Sequence, residues 1–334
     1  MPCALSRVPG SRVELSCKRP VIKGLQAELR SKLWSALMDS MVKTGIVRTI
    51  VATASKFAPA LAADLAYWLF CKPRAVAGLS EEQRSLANIA STKLASASAT
   101  RLRYSDGEVQ TYLFRAKANI ARGKTIILVH GWTGEARYML GFVDPLLASG
   151  FDVVCFDLPA HGKSTGLLTN FQQCAASLQA VANHFPGVYG IVAHSFGAPV
   201  TGLALDIART SPSRFDVCKI ALIAAPNTSA DIVRKFGVAI GLNLKAQRGF
   251  EATLERVCDC SLDDFTGSKY FARINRPMLV LHSKDDREVP YEQGLKYQSL
   301  SNCRFVPLNS LGHRDILHAP KVMRAVSKFM SAPL

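Results

Sequence analysis

At 334 residues and 49% apolar composition the chain can bury a sizeable core, which excludes a wholly disordered protein. Nine cysteines, odd in number and scattered, do not read as a disulfide framework, so a reducing, cytoplasmic setting is the expectation. The formal net charge of +16 is uneven: residues 1–124 hold 20 Lys and Arg against 8 Asp and Glu, residues 125–334 hold 21 against 17. Such clustering favours anionic surfaces, and with no zinc-finger spacing or RNA-binding aromatic signature a nucleic-acid partner is not expected. Peripheral contact with an anionic membrane stays open beside plain solvation of a basic face. The Cys258-x-Cys260 pair has no second pair at metal-binding spacing, so no metal site is expected.

Along the chain, "MPCALSRVPGSRVELSCKRP" places charges and prolines where a secretory signal needs about 7–15 apolar residues, and it is not expected to be one. Residues 44–70 are more apolar, yet Arg48, Lys56, Pro59 and Asp64 interrupt them, whereas a spanning helix needs about 20 mainly apolar residues. Helices packed against the core are expected there, with an amphipathic pair on a membrane surface as the alternative. Residues 1–98 thus read as a basic, helical N-terminal extension.

From residue 99 the pattern becomes regular. "TRLRYSDGEVQTYLFRA" predicts an antiparallel hairpin around Ser105–Glu108. "KTIILVH" and "FDVVCFD" are short buried strands separated by a helical stretch over 135–149, and "GVYGIVAHS", "CKIALIAA", "PMLVLHS" and "CRFVPL" continue the series. An open, mostly parallel α/β sheet with flanking helices follows. Residues 226–271 carry helical patterns with no strand, which predicts a cap inserted over the carboxyl ends of the strands.

"AHSFG" sets Ser195 between a strand and a helix, with Ala193 and Gly197 as the small residues two positions to either side. That matches a nucleophile elbow, with alanine in place of the usual first glycine. A serine hydroxyl needs a base and a group that orients the base. Asp286 follows the strand "PMLVLHS" and His313 follows "CRFVPL", both where loops converge at the carboxyl edge of the sheet. The adjacent Asp285 competes for the acid role. "HGKST" at 161–165 ends like a phosphate-binding loop, but Asp157 stands where that motif requires glycine.

Taken together, "LVHGWTG", "FDLPAHGKSTG", "AHSFG", "DDREVP" and the Gly312-His313 pair make residues 99–334 resemble an α/β-hydrolase-fold serine hydrolase of the esterase or lipase kind. The resemblance implies Ser195 as nucleophile, His313 as base, and Asp286 as orienting acid, four residues before Pro290. It implies the backbone N–H groups of Trp132 and Phe196 as oxyanion donors. His130, His161 and His194 belong to the fold's motifs, and His184, His282 and His318 are expected to be structural or on the surface. The implied activity is carboxylic ester hydrolysis through an acyl-enzyme, without metal or organic cofactor, on a small or lipid-like ester. Thioester hydrolysis and acyl transfer use the same residues, and a non-catalytic binding protein on the same fold is the competing class.

Overall fold

A computed structural model describes residues 45–73, 90–210, 215–259 and 261–334. Residues 1–44 and 74–89 of the expected extension, and Cys260, lie outside the described residues. Strands β1 (Ser98–Tyr104) and β2 (Gly107–Phe114) form the expected hairpin, closed by Ser105 and Asp106. β2 then pairs antiparallel with β4 (Asp152–Phe156). Every later pairing is parallel, through β3 (Thr125–Val129), β5 (Val188–His194), β6 (Lys219–Ile223), β7 (Met278–Ser283) and β8 (Cys303–Leu308). The spatial order is β1-β2-β4-β3-β5-β6-β7-β8.

The parallel strands read as continuous apolar runs because both sheet faces are covered. β3, β6 and β7 are buried at every position. On one face lie α4 (Phe171–His184) and α5 (Gly197–Thr210), whose Leu178, Val181, Val200 and Ala204 join the core. On the other lie a 3-10 helix (Ala136–Phe142) running into α3 (Val143–Ala148), and α10 (Pro320–Ser331), which contribute Phe142, Leu146, Val322 and Val326.

Between β6 and β7 the chain leaves the sheet for α6 (Ser229–Ile240), α7 (Leu244–Cys258), a 3-10 helix (Leu262–Asp264) and α8 (Gly267–Ile274). Its neck is pinned by a bridge between Thr228 and Thr266 and by Asn227, whose carbonyl accepts from Gly267 N–H at 2.7 Å and whose side chain accepts from Ser268 N–H at 2.8 Å. A short helix, α9 (Tyr291–Leu295), follows β7.

The apolar stretch at 44–70 forms two helices, α1 (Ile46–Phe57) and α2 (Pro59–Cys71), with Pro59 in the first turn, where its missing N–H removes no helical bond. They lie chiefly on the inserted helices. Ala63, Ala66 and Cys71 share a buried cluster with Val233, Phe250, Leu254 and Cys258. Small residues make this possible, since a Cβ added to Gly249 of α7 would already stand 3.1 Å from that of Ala63. At the other end Asn243 caps α7 with its side chain and donates its backbone N–H to Ser55 Oγ at 2.7 Å.

Candidate active site

Ser195 follows β5 directly and precedes α5, and its φ of 50° puts a non-glycine residue in the left-handed region. Such a conformation costs about 1–3 kcal/mol and persists only where its surroundings enforce it. Here they do. Ser195 N–H is tied to Ile223 O on β6 at 2.9 Å, and Ala198 N–H closes the turn on Ser195 O at 2.9 Å. Gly197 admits no side chain, since a Cβ would stand 2.7 Å from Val129 O and 2.8 Å from His130 O. At the opposite position Ala193 fits within the buried core, so the departure from glycine leaves the turn intact.

Asp286 lies after β7 and His313 after β8, and the structure brings both to Ser195. His313 Nε2 is 2.9 Å from Ser195 Oγ, and His313 Nδ1 is 2.7 Å from Asp286 Oδ2. Because the carboxylate can only accept, Nδ1 carries the proton and donates it, which leaves Nε2 as acceptor for the serine hydroxyl. Asp286 Oδ1 accepts the N–H groups of Glu288 and Val289, each at 2.9 Å. Burial opposes its charge, but His282, His313 and the Val289 amide together hold its carboxyl well below the usual carboxylate range. The neighbouring Asp285 points elsewhere: it is exposed, and its carboxylate accepts from Ser310 N–H at 2.6 Å.

The loop after β3 approaches the elbow through Gly131, where a Cβ would lie 3.0 Å from both Ser195 Cβ and His194 Nδ1. This close approach sets Trp132 beside Phe196, with ring centroids 5.0 Å apart. The backbone N–H groups of Trp132 and Phe196 make no hydrogen bond among the described residues.

Three histidines frame the site without joining it. His130 accepts Leu158 N–H on Nε2 at 2.9 Å, and its Nδ1 donates to Gly131 O at 2.8 Å. His161 links Thr133 N–H to Pro159 O, and His194 donates to His313 O at 3.0 Å. Burial keeps all three neutral, pushing His130 down to about 4 and His161 and His194 to about 3. Asp157, where a phosphate-binding loop would need glycine, is a buried brace: its carboxylate accepts from Ala136 N–H at 2.8 Å and Lys163 N–H at 2.9 Å.

With this geometry in view, comparison with known proteins places the chain. The family model of the alpha/beta hydrolase family matches residues 126–326. The chain belongs to that family. It is 24% identical over 226 residues to the lysophosphatidylserine lipase ABHD12 of Danio rerio, a match covering 62% of this chain and 58% of that protein, less than two thirds of the relative's length. In fold it is similar to Est1E from Butyrivibrio proteoclasticus, solved with ferulic acid bound (TM-score 0.56, 20% identity, 70% of this chain and 98% of that one). It is also similar to the Pyrococcus furiosus esterase Pf2001 (TM-score 0.53, 18% identity, 78% and 95%).

Two features of this hydrolase escaped the sequence. Phe70, near the end of α2, lies 6.5 Å from Trp132 in a stacked arrangement and meets Phe236 and Phe250 edge-on. With Phe171 at 4.7 Å from Phe196, this makes an aromatic wall beside the serine, part of it supplied by the N-terminal helices. The second is the contact between Asp286 and His282, a residue expected to be structural or on the surface. His282 is fully buried at the end of β7, with Nε2 3.0 Å from Val289 O and 3.5 Å from Asp286 Oδ2. A cavity of about 710 Å³ lies against the same loops, with Asp286 and His313 in its wall and Lys284, Arg287 and Arg314 among its charges.

Proposed function

We propose that this alpha/beta hydrolase cleaves carboxylic esters through an acyl-enzyme on Ser195. The observation that carries the reading is the unbroken chain Ser195 Oγ–His313–Asp286, at 2.9 and 2.7 Å. As the serine oxygen bonds to the ester carbon, its proton passes to His313 Nε2 and the carbonyl oxygen becomes an oxyanion. The N–H groups of Trp132 and Phe196 receive that charge, a contribution whose loss typically costs about a hundred- to a thousand-fold in rate. Collapse breaks the bond to the alkoxide, which takes the proton from His313. Water then adds to the acyl carbon, again giving its proton to His313, and the acid leaves as the proton returns to Ser195. Asp286, held ionised, keeps Nδ1 protonated throughout and stabilises the imidazolium.

The acyl portion is assigned to the side bounded by Phe70, Trp132, Phe171 and Phe196, which suits a hydrophobic, lipid-like chain. The Danio rerio relative, a lipase by name, supports the same class. Hydrolysis of p-nitrophenyl esters of graded acyl length tests this, with Ser195→Ala and His313→Ala beside the wild type. The expected result is activity that rises with chain length and is lost in both variants. Activity that survives Ser195→Ala contradicts the reading.

A further inference from the structure

The inserted helices and the N-terminal helices are two helical hairpins that meet at one corner, where the α6–α7 turn lies against α1. Asn243 donates to Ser55 in the last turn of α1, and a Cβ on Gly241 would stand 3.0 Å from that of Ala52 near its middle. At this corner four apolar side chains are bare: Phe57 is 84% exposed, Leu61 63%, Val238 71% and Leu244 67%. α1 itself carries two apolar stripes. Val47 and Val51 face inward with Ser55, while Ile46, Ile50 and Phe57, at helical spacings of four and seven, form a second stripe that is exposed.

Charge decides what covers this surface. Arg48 and Lys56 on α1, and Lys245 and Arg248 on α7, flank the apolar residues, and among the described residues none of the four is in an ion pair. Asp64 is the only carboxylate in residues 45–73, and residues 238–248 contain none. A second copy meeting this face about a two-fold axis would set these cations against their own equivalents. Apolar side chains at the centre with unpaired Lys and Arg beside them suit instead an interface of hydrocarbon and anionic headgroup.

We propose that this corner docks on an anionic phospholipid bilayer, with Phe57, Leu61, Val238 and Leu244 entering the acyl boundary and the four cations lying at the headgroups. α2 then runs from the docked tip at Leu61 to Phe70, whose ring stacks on Trp132 beside Ser195. The helix pair would thus hold the aromatic wall over the membrane, where a lipid-like ester resides. That last link rests on the function proposed above, whereas docking itself does not.

The test is co-sedimentation of the full chain, carrying Ser195→Ala so that no lipid is consumed, with vesicles of phosphatidylcholine and phosphatidylglycerol in equal parts. Binding is expected at low salt, weaker on pure phosphatidylcholine, and falling as salt is raised. Phe57→Ser with Leu244→Ser is expected to weaken partitioning by about tenfold or more, with an unchanged melting temperature. Lys56→Glu with Lys245→Glu is expected to remove most of the preference for anionic vesicles. No sedimentation at low salt, or variants that bind as the parent does, overturns the proposal. A change of oligomeric state in the apolar variants without lipid also overturns it, by showing that a second copy covers the patch.

Discussion

Asp286→Asn isolates the role of the acid with almost no change of shape. The two backbone N–H groups of Glu288 and Val289 both donate to Oδ1, so in the variant the amide oxygen must stay there to accept them. The amide NH2 then occupies the place of Oδ2, 2.7 Å from His313 Nδ1. Two donors cannot face each other, so Nδ1 gives up its proton and accepts, and the proton moves to Nε2, opposite the serine hydroxyl. In that tautomer His313 cannot receive the proton of Ser195. Fixing the wrong tautomer in a serine–histidine–aspartate site costs roughly ten-thousand-fold in kcat, about 5.5 kcal/mol of transition-state stabilisation. The expected result is therefore a fall of about a thousand- to ten-thousand-fold in kcat/KM on a p-nitrophenyl ester, with partial recovery at high pH. Asp285→Asn, which disturbs only an exposed loop contact to Ser310, should change the rate by less than about threefold. Equal losses in the two variants, or a loss below tenfold for Asp286→Asn, would refute the assignment.

Other outcomes follow from the same geometry. Burial lowers His130 to about 4 and His161 and His194 to about 3, from an ordinary 6.5, so between those values the unfolded chain binds protons that the folded one does not. Stability should be full above about pH 6.5 and fall below it by up to ~4 kcal/mol per pH unit for the three together, with Asp286 adding to the loss at lower pH. Denaturant midpoints measured from pH 8 to pH 4 check this, and a flat profile contradicts it. Gly197→Ala drives a Cβ onto two backbone carbonyls of the β3 loop and should cost about 1–3 kcal/mol, with a loss of ester hydrolysis of more than tenfold. Unchanged melting and activity would show that the elbow can yield. Phe70→Ala removes a half-buried ring from Trp132, Phe236 and Phe250. It should cost about 2–3 kcal/mol and shift the preferred acyl length, and retention of both properties would remove Phe70 from the wall.

Much of the sheet was legible because parallel strands buried on both faces are short apolar runs, and loops at their carboxyl ends are where polar residues become conspicuous. Ser195, Asp286 and His313 each follow such a run, which is why separation by as many as 118 positions did not hide them. The choice between Asp285 and Asp286 was not legible from adjacency alone: it depends on which carboxylate the turn after β7 faces toward β8. Nor could periodicity place α1 and α2. It marks an apolar face but not the partner, and here the partner is α7, nearly two hundred residues away, met through the small side chains of Ala63 and Gly249. His282 reads as one more strand residue until the fold brings Asp286 back beside it.

The central claim, that Ser195 is a nucleophile activated by His313, is tested most directly with a fluorophosphonate and mass spectrometry of the intact and digested protein. A single adduct mapping to Ser195, formed in the wild type and absent or greatly slowed in His313→Ala, is the predicted result. No adduct, an adduct on another residue, or equal labelling of His313→Ala would contradict it.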